Sequence, residues 1–246
     1  SEPSFGGGYD YWVLKVDSIG TIQWDRTYGG NSSDDLFDIV HANNGGYLLV
    51  GHSVSPASGN KTTGAYGAND FWVLHIDESG SILWQNSYGG SDHDQEPYAV
   101  QVPGDGYLIG GMSRSDSGGT KTIDSYGDYD YWAVRINDVG TQLWDVGQGG
   151  SDEDLLRRVS LAPDGGFILG GSSKSGVDGS KTDSTLGIND LWLVHLDATG
   201  EHVWDRTLGG DDEEDDLSSL SLMSSGAILM GGATYSSASG EVTEDH

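Results

Sequence analysis

The sequence repeats with a period of 60 residues, and this period limits the possible folds more than any other feature. Each copy opens with an Asp two positions before a Trp, carries a second Trp twelve positions later, and ends in a Gly-Gly pair. The Gly-Gly spacing is constant, so we expect no insertion or deletion between copies. A fixed period of this size is typical of propellers, solenoids and repeat arrays. All eight Trp residues belong to the repeat: Trp12, Trp72, Trp132 and Trp192 in one series, and Trp24, Trp84, Trp144 and Trp204 in the other.

Each period predicts four short antiparallel strands and no helix. Residues 11–17 alternate between the two sides of a strand, and residues 21–28 form its partner across the turn 17–20. That turn begins with an Asx residue and ends with Gly in every copy, which favours a tight hairpin. Residues 36–42 and 47–51 are expected to form a second hairpin. Four such strands are the content of one propeller blade.

These strands predict an all-β fold, a four-bladed β-propeller of four 60-residue repeats in a single domain, 1–246. If 47–51 is the second strand from the axis, the chain contributes two outer strands first, then three whole blades, then two inner strands. The strand pairs at 9–30 and 215–235 would then share the closing blade of the ring. A closed ring leaves few exposed sheet edges.

The composition limits the partners. The chain has 39 acidic and 11 basic residues, a net charge of -28 and no Cys. An acidic surface repels nucleic acid and anionic membranes, and it also keeps a protein soluble in a saline habitat. No apolar run reaches the length of a membrane-spanning helix, and the first residues do not resemble a signal peptide. We expect a soluble mature segment without disulfides, nucleic-acid binding or membrane insertion.

The repeat resembles the β-propeller repeats of secreted and surface proteins of bacteria. The resemblance rests on the run from Asp10 to Trp24, on Gly29 and Gly30 with Asp34 shortly after, and on the run 45–51. It covers nearly the whole chain and implies a propeller that is secreted or exposed at the cell surface. Four copies are fewer than the seven that are commoner among such proteins.

An acidic loop follows each Gly-Gly pair. Oxygen-rich loops suit Ca²⁺, which takes about 6 to 8 hard ligands. The alternative is that these carboxylates cap backbone N–H groups between blades or are solvated. The candidate metal ligands are Asp34, Asp94, Asp154 and Glu214, together with Asp92, Asp152 and Asp212. No other cofactor is expected.

Two further series recur with the repeat. The Asp residues that precede the first Trp of each copy are interpreted as buried side chains bonded to backbone N–H groups of the next blade. Lys residues in the long Ser- and Gly-rich loops lack the spacing of a phosphate-binding loop and are expected to pair with the acidic loops. Asn31 and Asn60 lie in possible glycosylation sequons. The two series are Asp10, Asp70, Asp130 and Asp190, and Lys61, Lys121 and Lys181.

The hypothesis that follows is a non-catalytic binding or adhesion module. It would be secreted or at the cell surface, with glycan or protein contacts on the acidic loop face, aided by Ca²⁺. One alternative is a structural subunit of an extracellular filament or coat, which would form homo-oligomers. A less favoured alternative is a propeller-based enzyme acting on polysaccharides. Fourfold repetition argues against an active site, because catalysis needs one asymmetric group of residues, and only the run 91–96 departs from its sister loops.

Overall fold

The computed structural model describes residues 7–211, 215–236, 238–240 and 242–243, and these residues form strands, turns and loops without a helix. None of the described segments is a helix that could cross a membrane. The strands are β1 (Tyr11–Val16), β2 (Ile22–Tyr28), β3 (Asp34–His41), β4 (Tyr47–Ser53), β5 (Asp70–Ile76), β6 (Ile82–Tyr88), β7 (Asp94–Gln101), β8 (Tyr107–Ser113), β9 (Asp130–Ile136), β10 (Gln142–Gln148), β11 (Asp154–Leu161), β12 (Phe167–Ser173), β13 (Asp190–Leu196), β14 (His202–Leu208), β15 (Asp215–Leu222) and β16 (Ile228–Thr234).

The strands form three four-stranded sheets and two two-stranded sheets, all antiparallel. The four-stranded sheets have the orders β3-β4-β5-β6, β7-β8-β9-β10 and β11-β12-β13-β14, and the pairs β1-β2 and β15-β16 stand separately. The predicted all-β architecture of repeated sheets is therefore confirmed. Within each whole sheet the second and third strands pair in the same register, with Gly51 opposite Trp72 in the first and the equivalent residues opposite each other in the others.

Neighbouring sheets pack through one aromatic contact that recurs at each step. The residue before each first-series Trp reaches the Trp of the following sheet: the Tyr11 and Trp72 rings are 4.8 Å apart, and the Tyr131 and Trp192 rings 4.7 Å. Tyr11 also donates a hydrogen bond to the carbonyl oxygen of Trp72. Its ring lies against Gly51, where an added Cβ would be 2.4 Å from the Tyr11 hydroxyl oxygen. The glycine on the second strand therefore makes room for the ring of the preceding sheet.

The first strand of each sheet packs on the sheet before it. Strand β7 contacts β3, β4 and β5, strand β11 contacts β7, β8 and β9, and strand β15 contacts β11, β12 and β13. This places β3, β7, β11 and β15 side by side, as the innermost strands of successive blades. The strand order assumed from the sequence, with 47–51 second from the inside, agrees with this arrangement.

The expected closing blade is not detected in the described residues. Strands β15-β16 and β1-β2 belong to different sheets and share no hydrogen-bonded ladder. Trp12 is 64% exposed, whereas Trp72, Trp132 and Trp192 are fully buried. The two strand pairs thus flank the three whole sheets as two half-blades.

The constant spacing expected from the Gly-Gly pairs fails at the last repeat. Strands β3, β7 and β11 begin at Asp34, Asp94 and Asp154, which are 60 residues apart, but β15 begins at Asp215, 61 residues after Asp154. The ladder confirms the shift, because Asp215 lies opposite Thr234 as Asp154 lies opposite Ser173. One residue is therefore inserted in the acidic run after Gly210, and the strand counterpart of Asp154 is Asp215.

Candidate functional site: the loop face and its carboxylates

The acidic loops and the long loops meet at one end of the sheets, which we call the loop face. It comprises residues 29–33, 89–93 and 149–153 with residues 54–69, 114–129 and 174–189. Hydrogen bonds join the two loop types, for example from Val54 N to Ser33 O and from Arg114 N to His93 O. The short hairpin turns lie at the other end of the strands.

Each acid that begins an innermost strand is buried and caps the acidic loop. Asp94 Oδ2 accepts hydrogen bonds from Gly90 N at 2.8 Å and from the Ser115 hydroxyl at 3.0 Å. Asp34 and Asp154 make the same two bonds in their own repeats, and all three residues are fully buried. These bonds match the capping alternative considered for the acidic loops.

A second buried acid begins the third strand of each sheet. Asp70 Oδ2 accepts a hydrogen bond from Tyr66 N at 2.7 Å, and Asp130 Oδ2 accepts one from Tyr126 N at the same distance. Asp190 is bonded to Leu186 N in the same way. The prediction of a buried Asp bonded to backbone N–H is correct, but the partner is wrong. The bond goes to the long loop of the same blade rather than to the next blade.

The two acid series face each other across the junctions between sheets. At Gly89, an added Cβ would be 1.9 Å from Asp70 Oδ1 and 2.8 Å from Asp94 Oδ2. At Gly149 the distances to Asp130 Oδ1 and Asp154 Oδ2 are 1.9 and 2.9 Å. Glycine is needed here because any side chain would enter the space between the carboxyl groups. The sequence analysis missed this pairing, although both acids and the glycine recur with one period.

The facing carboxyl groups are shifted towards their protonated forms. Burial raises the pKa of Asp70 to about 6, and the charge of Asp94 acts in the same direction. Burial likewise raises the pKa of Asp130 to about 7, reinforced by the charge of Asp154. The Oδ1 atoms of all four residues are buried without a hydrogen-bond partner. A proton on one acid of each pair would let it donate to the other and relieve the repulsion between them.

A buried lysine lies between the acids of each whole sheet. Lys61 Nζ donates to the carbonyl oxygens of Ser55 and Thr63, and it lies 5.8 Å from the centre of the Trp72 ring. Burial lowers the pKa of Lys61, while the charges of Asp34 and Asp70 oppose this. The expected pairing of Lys with the acidic loops is thus indirect. The ammonium group bonds loop carbonyls and acts on the carboxylates through its field.

The candidate calcium ligands are only partly brought together. Asp94 is buried, whereas the Asp92 carboxylate points to Arg114 at 3.3 Å and to His93 at 3.6 Å. Asp152 is exposed, and its backbone N–H donates to Ser175. Asp212 and Glu214 lie outside the described residues. Within the described part of the chain no three His, Asp or Glu side chains converge as a metal site. Two facing carboxyl groups supply fewer oxygens than a calcium shell needs.

One cluster on the innermost strands breaks the repeat symmetry. The Glu96 N–H donates to His52 Nδ1 at 3.3 Å, and the Arg157 guanidinium donates to the Glu96 carboxylate. His52 Nε2 lies 3.5 Å from Asp35 Oδ2, and Arg157 Nε lies 3.7 Å from Asp216 Oδ1. Glu96 is the one described non-glycine residue with a positive φ, at 50°. These residues come from different sheets, and so they form one asymmetric polar group beside the loop face.

Exposed aromatic rings occupy equivalent places on the loop face. Tyr66 and Tyr126 precede Asp70 and Asp130 by four residues and are 51% and 50% exposed. The third repeat has Leu186 at this position, also exposed. Exposed Tyr rings beside acidic side chains offer an apolar face and hydrogen-bonding groups together.

Comparisons with known proteins give limited information. No protein-family model matches the chain. The chain is 26% identical, over 178 residues, to the regulatory protein FlaEY of Caulobacter vibrioides; the match covers 68% of this chain and 18% of that protein. The chain therefore spans less than a fifth of this relative. Among solved structures, a protein of unknown function from Bacteroides caccae matches 90% of this chain and 64% of its own, with 9% identity and a TM-score of 0.45.

Proposed function

We propose that the protein is a non-catalytic binding or adhesion module, secreted or exposed at the cell surface, that contacts a glycan or a surface protein through its loop face. The observation that supports it best is the repeated pair of exposed rings, Tyr66 and Tyr126, above equivalent buried acids. Repeated, equally spaced ring and carboxylate groups suit a repetitive ligand such as a polysaccharide. The asymmetric cluster around Glu96 and Arg157 would give such a ligand one orientation.

A glycan array and a pull-down from cell-surface extract test the proposal. We expect binding by the unmodified protein and its loss in Y66L/Y126L, because leucine removes the flat ring. The third repeat already carries Leu186 at this position, so the fold should tolerate the change. The control is Ile19→Ala, which alters an 85% exposed side chain in a hairpin turn at the opposite end. Absence of any ligand, or equal binding by Y66L/Y126L, would argue against the loop face.

Calcium is part of the same proposal, with the exposed acids of the loop face, such as Asp92 and Asp152, as the groups that would attract it. The binding assays should therefore be run with calcium and with a chelator. We expect a thermal shift with calcium and weaker ligand binding with chelator. If the melting temperature and the binding are the same in both buffers, the calcium part of the proposal fails while the glycan or protein part stands.

The proposal includes a finer statement on the fold, a β-propeller with four blades' worth of strands. The fourth blade would have the order β15-β16-β1-β2. The register supports it: β16 has a free edge where β4, β8 and β12 pair with a third strand, and β1 has a free edge where β5, β9 and β13 pair with a second strand. Each half-blade therefore lacks what the other carries.

A second function is favoured by these two unpaired edges. A chain that presents complementary edges at two separate places can join to others and form an extracellular filament or coat. Electron microscopy and light scattering over a range of concentrations distinguish the two functions. Polymers that grow with concentration favour the filament, and a monomer at all concentrations favours the binding module.

A further inference from the structure

The free edge of β16 borders an unfilled apolar space. A cavity of about 340 Å³ lies beside it, lined by Leu191, Leu208, Gly209, Gly232, Ala233 and Thr234, with Val242. In the complete junctions, the residues equivalent to Leu191 are Phe71 and Tyr131, and each contacts the buried Trp of the next sheet, Trp132 or Trp192. Next to Leu191 no such Trp is present among the described residues. The cavity is therefore the seat of a missing first-series Trp.

The other half-blade presents a Trp without a seat. Trp12 is 64% exposed, and Leu14 and Val16 on the same strand are 40% and 47% exposed. The Trp12 indole N–H donates to Asp25 at 3.4 Å, as the indole of the buried Trp132 donates to Asp145 at 3.0 Å. Trp12 is thus already held as it would be in a complete sheet. Little side-chain entropy would be lost when it is buried.

The junctions between sheets argue against closure within one chain. The three aromatic contacts across them have ring distances of 4.8, 5.0 and 4.7 Å, and the planes meet at 44°, 35° and 45°. Near-identical contacts make near-identical steps from sheet to sheet. These steps leave β16 and β1 of one chain in separate sheets. Closing the ring in one chain would require every junction to change.

We infer that a second copy of this chain docks on the β16 edge through its β1-β2 hairpin, completing a β15-β16-β1-β2 sheet across two chains and seating Trp12 in the cavity beside Leu191. This inference rests on the blade proposed above and names the chain that completes it. The second copy continues the step seen at the three junctions, with no distortion of either chain. The contact is head to tail, so that repetition gives a closed ring or a filament.

The repeat fixes the register of this intermolecular ladder. In the first whole sheet Ser53 lies opposite Asp70, Gly51 opposite Trp72 and Tyr47 opposite Ile76. Carried over with the one-residue shift, Thr234 lies opposite Asp10 of the second copy. In the same way Gly232 lies opposite Trp12 and Met230 opposite Leu14. The glycine again comes next to the Trp, as in every complete sheet.

Cysteine cross-linking tests the inference on a chain that has no Cys of its own. The single variants Leu14→Cys and Met230→Cys are mixed in equal amounts and oxidised, and the double variant L14C/M230C is oxidised alone. We expect a disulfide-linked dimer in the mixture, more than tenfold above either single variant alone. The off-register control mixes Ile19→Cys with Met230→Cys and should remain monomeric on a non-reducing gel.

The outcomes separate the inference from the blade proposal on which it rests. A dimer in the mixture supports both. A cross-link only within single chains of L14C/M230C overturns the second copy and keeps the four-blade fold. No cross-link in either sample overturns both. Because Leu14 and Met230 lie at the unpaired edges and neither is fully buried, the variants should fold, and circular dichroism checks this.

Discussion

At the scale of single residues, the buried carboxyl pairs govern how stability changes with pH. Folding raises the pKa of Asp70 from 3.8 to about 6 and that of Asp130 to about 7. The folded state therefore binds protons more tightly than the unfolded chain. The corresponding stability is complete below pH 4 and is lost as the pH rises towards 7. Each tenfold difference in proton affinity between the folded and unfolded states is worth about 1.4 kcal/mol at each site.

The exposed turn acids act in the opposite sense. Hydrogen bonds from Thr21 and Ile19 lower the pKa of Asp17, and those from Ser79 and Ser81 lower the pKa of Asp77. A lowered pKa adds stability that is present above the unfolded value and lost at lower pH. The two effects together place the most stable pH between about 4 and 5, on the acidic side of neutrality.

The first prediction is that Asp130→Asn flattens the loss of stability between pH 5 and pH 8. The amide N–H can donate to Asp154 where the carboxyl proton would, and it does not dissociate. We expect the variant to melt at a higher temperature than the unmodified protein at pH 8 and at a similar temperature at pH 5. Thermal unfolding followed by Trp fluorescence measures this.

The matched control is Asp77→Asn, which removes the same charge from an exposed turn. The third repeat has Asn137 at this position, so the substitution is compatible with the turn. It should leave the slope between pH 5 and pH 8 unchanged. If Asp130→Asn melts lower than the unmodified protein at pH 8, the acids are not paired through a proton.

At the scale of elements, the long loops are held by their buried lysines. Lys121 Nζ donates to the Ser115 carbonyl oxygen and lies 5.9 Å from the centre of the Trp132 ring. The same arrangement of Lys and Trp holds the loops of the other two whole sheets. The lysine therefore orders a loop of little apolar content, and its positive charge partly offsets Asp94 and Asp130.

The second prediction concerns this lysine. Lys121→Met keeps the apolar stem over Trp132 but leaves the Ser115 carbonyl without its donor, which should cost about 1–3 kcal/mol of unfolding free energy. The variant should also lose stability more steeply between pH 5 and pH 8, because the two acids no longer face a positive charge. Urea unfolding at both pH values measures both effects. Lys174→Met, at a partly exposed ion pair with Glu153, should change stability by less than about 0.5 kcal/mol.

The strands were predictable because alternation and turn chemistry are local. Residues 47–51 were expected as a strand and lie within β4, and the turn beginning at Asp17 is held by its own side chain, as expected. The insertion after Gly210 was not predictable, since any residue in an acidic run can be matched with Asp154. Only the ladder partner Thr234 identifies Asp215. The facing of Asp70 and Asp94 was equally hidden, because it arises between sheets.

At the scale of the whole molecule, the number of repeats does not determine whether a ring closes. Closure depends on the rotation from one sheet to the next, and this rotation is set by how deeply the aromatic residue before each Trp packs against the following sheet. No sequence pattern reports that depth. The four-bladed ring was inferred from the repeat count alone. The junctions instead leave Trp12 and the cavity beside Leu191 as complementary surfaces at separate places.

The third prediction is that association between copies increases with salt. Each chain carries a net charge of -28, so two copies repel each other at low ionic strength. Salt screens this repulsion within about 10 Å at 0.1 M, while it leaves burial of Trp12 and the backbone ladder intact. Sedimentation velocity should therefore show monomers at low salt and a rising fraction of larger species at about 0.5 M. Trp12→Ala should remain monomeric under both conditions, because it loses the side chain that fills the cavity. Leu143→Ala, on an outer strand and 51% exposed, should associate like the unmodified protein. If association weakens with salt, charge pairing rather than apolar burial joins the chains.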